Sequence, residues 1–140
     1  MPDRYGPEQM ELNIQADCGN SPKKEFIKDL NISFAKNDVD FLLGSVTEDI
    51  HWTMVGDRVI QGRDQFAVEL RKMVKSSARA LRIDRVITHG KEGAACGVIT
   101  MEDGTAYHFG DFYVFKNTKG TKIRSITSYV IEAKETEERS

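Results

Sequence analysis

Apolar positions recur at helical spacing through the first half of the chain and at strand spacing through the second. Ser21 before Pro22 suits an N-cap with proline at the first helical position. Ile27, Leu30 and Phe34 follow at i, i+3 and i+7 and predict a first helix. Asn37 and Asp38 interrupt it. Asp38 can cap a successor, and Val39, Leu42, Leu43 and Val46 predict a second helix running to Thr47. Residues 50–55 are rich in β-branched and aromatic side chains and end in Gly56 and Asp57, which predicts a strand and a turn, with Val59 and Ile60 pairing back. After Gly62, the stripe Phe66, Leu70, Met73, Val74 predicts a third helix, ended by Ser76 and Ser77.

From Ala78 the period falls to 2 and stays there almost to the end. Four strands are predicted, the first carrying Leu81, Ile83, Arg85 and Ile87 and the others spanning about 94–101, 105–116 and 122–133. They are separated by turns at 89–93, at Asp103 and Gly104, and at 117–120. Turns this short make the pairing antiparallel. Helices followed by an antiparallel meander predict an α+β domain, with the helices on one face of a curved sheet. Phe109, Phe112, Tyr113, Val114 and Phe115 put apolar groups on both faces of one strand. One face meets the helices, and the other predicts a homodimer through the outer sheet face. Residues 1–20 read as an arm outside the core, 21–134 as the single domain and 135–140 as a charged tail.

At 140 residues the chain holds one domain at the usual ~150 residues each. Its 20 Lys and Arg against 22 Asp and Glu give a formal charge of −2, a balance that attracts neither phosphate backbones nor anionic lipid. Arg79, Arg82 and Arg85 are scattered, and the Gly-Lys-Glu-Gly at 90–93 lacks the length and helix of a phosphate loop, so no nucleic acid or nucleotide is expected. Neither a signal-peptide core nor a membrane-length apolar run is present, and a cytoplasmic protein with no membrane partner is expected. Cys18 and Cys96 read as reduced thiols. Cys96 has no base near it in sequence, and no histidine spacing suits a metal, so neither metal nor cofactor is expected. His51 and His108 fall on the parity opposite to Trp52 and Asp111, although a one-residue bulge would turn His108 inward; His89 lies in a turn.

The segment EDIHWTMVGDRVIQGRDQF, residues 48–66, resembles the hallmark of the NTF2-like superfamily in its SnoaL-like branch: an acidic pair (Glu48, Asp49), a strand aromatic (Trp52), a turn, and a Gly-Arg-Asp helix entry at 62–64. The resemblance spans about residues 22–133. It implies a cone, a curved antiparallel sheet wrapped around three helices, with a largely apolar pocket for a small hydrophobic molecule. The same scaffold serves isomerases, cyclases, dehydratases and assembly domains, so function must be argued from the site.

Asp111 stands out, lying mid-strand in FGDFYVF between apolar neighbours. Inside a dry pocket its charged form loses hydration, its pKa rises, and it can polarise a substrate oxygen as a neutral acid. By resemblance it falls on the oxyanion-stabilising aspartate of the steroid-isomerase relatives, a well-known acid of this kind. The alternative is an ion pair with Arg124. Where those relatives carry a general base this chain has Met54, and where their first helix carries a tyrosine it has Leu30, so their mechanism does not transfer. Period 2 sets Phe109 and Tyr113 on the face of Asp111. The resemblance adds Trp52, Met54, Cys96, Val98, Thr100, Ile126, Ser128 and Val130 to the pocket, with Phe66 and Leu70 closing its wall. Two functions remain open, a ligand-binding cone of isomerase, cyclase or dehydratase type and a non-catalytic homodimeric association module with a filled core.

Overall fold

The computed structural model of the protein describes residues 10–19, 21–119 and 122–134. Residues 1–9 of the expected arm, the 135–140 tail and Gly120 of the last turn lie outside the described residues.

The helices begin where capping side chains replace the missing backbone partners. Ser21 Oγ accepts from the Lys24 N–H at 3.2 Å and Pro22 opens α1 (Pro22–Lys36), which buries Ile27, Leu30, Asn31 and Ala35 along one stripe. Asn37 closes it in the left-handed conformation, φ 61°. Asp38 Oδ1 then accepts from the Phe41 N–H at 3.2 Å and starts α2 (Val39–Gly44). The expected continuation of this helix to Thr47 is corrected. Ser45 Oγ folds back on the Phe41 carbonyl at 2.7 Å, and Val46 leaves in extended form to pair with Ile123. A β-branched residue with a strand neighbour available gains more from the ladder than from one further helical turn.

Seven strands form one open, curved sheet: β1 (Glu11–Ile14), β2 (Val46–Met54), β3 (Arg58–Gln61), β4 (Ala78–His89), β5 (Glu92–Met101), β6 (Ala106–Phe115) and β7 (Ile123–Glu132), in the order β1-β4-β5-β6-β7-β2-β3. The β4 to β7 meander is antiparallel, and β3 folds back on β2 as expected. Two pairings are parallel. β7 lies beside β2, which brings the end of the chain against its first half, and β1 lies along β4. The strand β1 corrects the expectation of an arm outside the core. Gln15 N–H bonds the Ile83 carbonyl at 2.9 Å, Met10, Ile14 and Ala16 pack on the core, and Cys18 is buried. Four residues, Glu-Leu-Asn-Ile, are too few for a periodic signal, but the unpaired edge of β4 supplies them with ladder bonds.

The helices cover the concave face. α1 packs on β4 and β5, and α3 (Arg63–Met73) packs on β2 and β3. Between them Ile27, Leu30, Leu42, Ile50, Phe66, Ile83, Phe115 and Ile123 form the fully buried core. Register shifts in β2, β4 and β6 mark bulges, and bulges bend strands, so the sheet curls around the helices. One bend requires a glycine. A Cβ on Gly97 would stand 2.0 Å from the Arg82 carbonyl oxygen of β4, a backbone atom with no room to retreat. Gly97→Ala is expected to cost about 1–3 kcal/mol by overpacking. Chemical denaturation of the variant checks this, and unchanged stability would show that β4 and β5 are not so close.

Candidate functional site

A cavity of about 470 Å³ opens between the concave face of the sheet and α1 and α3. Its wall is mostly apolar, built from Phe34 and Ala35 of α1, Met73 at the end of α3, Trp52 and Met54 of β2, Leu81 of β4, Ile99 of β5, Phe109 of β6, and Ile126 and Val130 of β7. The β2–β3 turn, Val55 to Asp57, forms part of the rim, where Gly56 at φ 83° lets the chain reverse. The polar lining consists of Asn31, Asp57, Tyr107, Asp111 and Ser128. Among the lining residues there is no Lys, Arg or His.

Asp111 sits at the middle of β6, flanked by Ala95 of β5 and Ser128 of β7, half-buried and facing the cavity. Two hydrogen-bonded relays end on it. In the first, the Trp52 indole Nε1–H donates to Ser128 Oγ at 3.0 Å, and the Ser128 hydroxyl donates onward to the Asp111 carboxylate. In the second, the Asn31 amide Nδ2 donates to Tyr113 Oη at 3.0 Å, and the Tyr113 hydroxyl donates to Asp111 Oδ2 at 3.3 Å. An indole N–H and an amide NH₂ can only donate, so each hydroxyl has its proton left to give, and the direction of both relays is set. Asn31 is held in turn by the Ile27 carbonyl of its own helix, 2.9 Å away.

Loss of hydration pushes the Asp111 carboxyl up from 3.8 to about 6, against the pull of the two hydroxyl donors, which favour the charged form. The rise has the expected direction. Both hydroxyls favour the charged form of this group, while burial, the larger effect, favours the neutral acid expected from the sequence. No ion pair joins Arg124 to Asp111 among the described residues; Arg124 is exposed. The same burial, with the Asp111 charge beside it, drives the Tyr113 hydroxyl well above its usual 10, so it remains a donor.

Seven of the residues expected at the pocket line it: Trp52, Met54, Phe109, Asp111, Ile126, Ser128 and Val130, with Val130 at the open end, 59% exposed. Six do not. Tyr113 is buried behind the wall and reaches it only through its hydroxyl. Phe66 and Leu70 belong to the core beneath. The Phe66 ring packs edge-on against Trp52, centroids 5.4 Å apart, and props the wall from behind. Cys96, Val98 and Thr100 point to the other side of the sheet, and Val98 and Thr100 line a separate outer concavity with His108. The cause is one residue of register. A two-residue turn at Asp103 and Gly104 would set Cys96 opposite Asp111. The actual loop has three residues, with Met101 N–H bonded to Thr105 O at 2.8 Å and Gly104 at φ 91°, and it sets Ala95 there instead. The inward residues of β5 are therefore Ala95, Gly97 and Ile99.

Asn31 is the functional group that sequence reasoning missed. Its one signal is an amide one position after Leu30 on an otherwise apolar helical face, and such a residue is usually solvated. His51 lies on the outer side beside Gln61, Nδ1 to Nε2 3.1 Å, and His108 stays outward, with no bulge at its position. Among the described residues no three His, Cys, Asp or Glu side chains converge to hold a metal, and no helix is long and apolar enough to cross a membrane.

No protein-family model and no curated protein matches the sequence. Solved structures do match the fold. An NTF2-like protein of unknown function from Cytophaga hutchinsonii superposes with a TM-score of 0.61 at 21% identity, covering 78% of this chain and 99% of that one. A putative ketosteroid isomerase from Kribbella flavida gives a TM-score of 0.68 at 14% identity, covering 81% and 80%. An LEH-like epoxide hydrolase from M. tuberculosis gives 0.65 at 14%, covering 78% and 82%. At these identities the likeness speaks for architecture. The α+β cone read from the sequence, with its curved open sheet and three helices, is the NTF2-like fold.

Proposed function

We propose that this protein binds a small, largely apolar molecule in the cavity, with a polar group of that molecule against Asp111. The observation that carries the reading is the convergence of two relays on one carboxylate in an apolar recess. A volume of about 470 Å³ is within the range of small-molecule sites and argues against a filled core. Buried polar networks are costly to assemble, and here four side chains serve a group that then faces empty space. At neutral pH Asp111 is an acceptor, so it suits a hydroxyl, an amine or a water. In its protonated form, below about pH 6, it can donate to and polarise a substrate oxygen. Met54 at the family's base position takes no proton, so an isomerase-, cyclase- or dehydratase-like proton transfer in the cavity would need Asp111, another lining group or a base carried by the substrate itself. The ketosteroid isomerase-like and epoxide hydrolase-like neighbours support small-molecule chemistry on this scaffold.

The test is a neutral fluorescent probe with an N–H, N-phenyl-naphthylamine, titrated into wild type, Asp111→Asn, Asp111→Leu and the cavity-filling Ile99→Trp. Wild type is expected to bind, Asp111→Asn several-fold more weakly, and the Leu and Trp variants not measurably. Equal binding by all four proteins would place the probe elsewhere and overturn the reading.

A second observation favours self-association through the outer sheet face. Phe112, Tyr129 and Ile131 are 57%, 47% and 69% exposed, and the Phe112 and Tyr129 rings meet edge-on at 6.2 Å. Adjacent β6 and β7 thus present an apolar patch of the kind that marks an interface. Phe112→Lys combined with Ile131→Glu is expected to convert a dimer to a monomer in sedimentation equilibrium. A monomeric wild type would remove this proposal and leave the cavity untouched.

A further inference from the structure

We propose that the cavity selects a cation, a protonated amine or quaternary ammonium carried on a compact apolar body. The inference rests on the reading of the cavity as a ligand site and adds the charge of what enters it. The carboxyl side chains along the lining are Asp111 in the recess and Asp57 at the rim, with no basic side chain among the lining residues. An anionic ligand would meet carboxylates with nothing to offset them, and in a recess of low dielectric that repulsion is poorly screened.

Asp111 is also incompletely served. Its two protein partners, Ser128 and Tyr113, are neutral hydroxyls, and no Lys or Arg pairs with it among the described residues. Buried charges are ordinarily paired. An ammonium group arriving from the cavity would supply the missing charge, and a protonated amine would supply N–H donors as well. The surrounding wall suits the same guest. Phe34, Trp52, Tyr107 and Phe109 all line the cavity together with Asp111, and the Phe34 and Trp52 rings lie tilted with centroids 5.5 Å apart, so the wall around the recess is aromatic. Aromatic faces attract ammonium groups most strongly where water is excluded. An alcohol on the same body would keep the packing and one hydrogen bond but leave the carboxylate without a counter-charge.

Three probes that share one rigid hydrocarbon body separate these cases: adamantylamine, adamantanol and adamantane carboxylate, titrated calorimetrically at about pH 7.5 into wild type and Asp111→Asn. The amine is expected to bind wild type at least tenfold more tightly than the alcohol, and the carboxylate more weakly than either. In Asp111→Asn the advantage of the amine over the alcohol should vanish, with the alcohol itself bound a few-fold more weakly at most, and a cooperative thermal melt shows that the variant is folded. Equal affinity of wild type for amine and alcohol would overturn cation selection and leave the apolar-ligand reading standing. An advantage of the amine that survives in Asp111→Asn would overturn the role given to this carboxylate. Failure of all three probes to bind wild type would sink both readings together.

Discussion

Phe66→Ala is expected to lower folding stability by about 3–5 kcal/mol, the usual cost of truncating a fully buried phenylalanine. For a chain of this length that corresponds to a fall in melting temperature of roughly 10–17 °C. The size follows from where the ring lies. Phe66 is 0% exposed and packs edge-on against both Phe34, centroids 6.4 Å apart, and Trp52, 5.4 Å apart. Removal leaves a void that two large rings cannot collapse to fill, because Trp52 is tied to Ser128 and Phe34 belongs to α1. The ring does not line the cavity, so the loss should appear in urea denaturation, with probe affinity changed only a few-fold at temperatures where the variant is folded. A variant as stable as wild type but unable to bind would restore Phe66 to the pocket wall.

Asp111→Asn is expected to change how stability depends on pH. In the folded protein this carboxyl holds its proton up to about pH 6, and in the unfolded chain only to about 3.8. Between those values the folded state binds more protons than the unfolded one, so stability falls as pH rises through the window and levels off above it. The gap corresponds to about 3 kcal/mol. It is a cost carried by the wild type at neutral pH and absent near pH 4. No Lys, Arg or His lines the cavity. The other groups facing Asp111 are the hydroxyls of Ser128 and Tyr113, and Tyr113 does not titrate in this range, while Asp57 at the rim is exposed. The amide variant should therefore be more stable than wild type at about pH 7.5, less whatever its amide loses toward the two hydroxyls. The advantage should shrink steadily toward pH 4.5. Urea denaturation of both proteins at several pH values measures the difference, and a constant difference would show that Asp111 titrates as it does in water.

Both expectations depend on which side of the sheet, or of the core, a residue occupies, and the sequence was legible to different depths at different strands. Alternation along β6 places Phe109 and Tyr113 on the side of Asp111, because a strand whose parity is known has no freedom left, and the family resemblance adds Ile126, Ser128 and Val130 of β7. On β5 the same alternation exists, but its phase relative to β6 depends on whether the hairpin loop holds two residues or three. Asp103 and Gly104 mark the turn without counting it. Cys96, Val98 and Thr100 therefore look as well placed as Ala95, Gly97 and Ile99 until the ladder is seen. β1 was hidden for another reason, since its four residues are held by an edge that exists only after β4 has formed.

By itself the sequence determined the helices, the meander and the singular position of Asp111, because caps, turn residues and hydrophobic period act over a few neighbours in the chain. Only the tertiary structure decided what that carboxylate is. Asn31 and Tyr113 are 82 positions apart and Trp52 and Ser128 are 76 apart. Their meeting, which aims two protons at Asp111 and sets it as an acceptor in an apolar recess, depends on α1 docking on the sheet and on β7 lying parallel to β2. Hydrogen-bond direction and desolvation are properties of that assembled neighbourhood, and no local pattern encodes them.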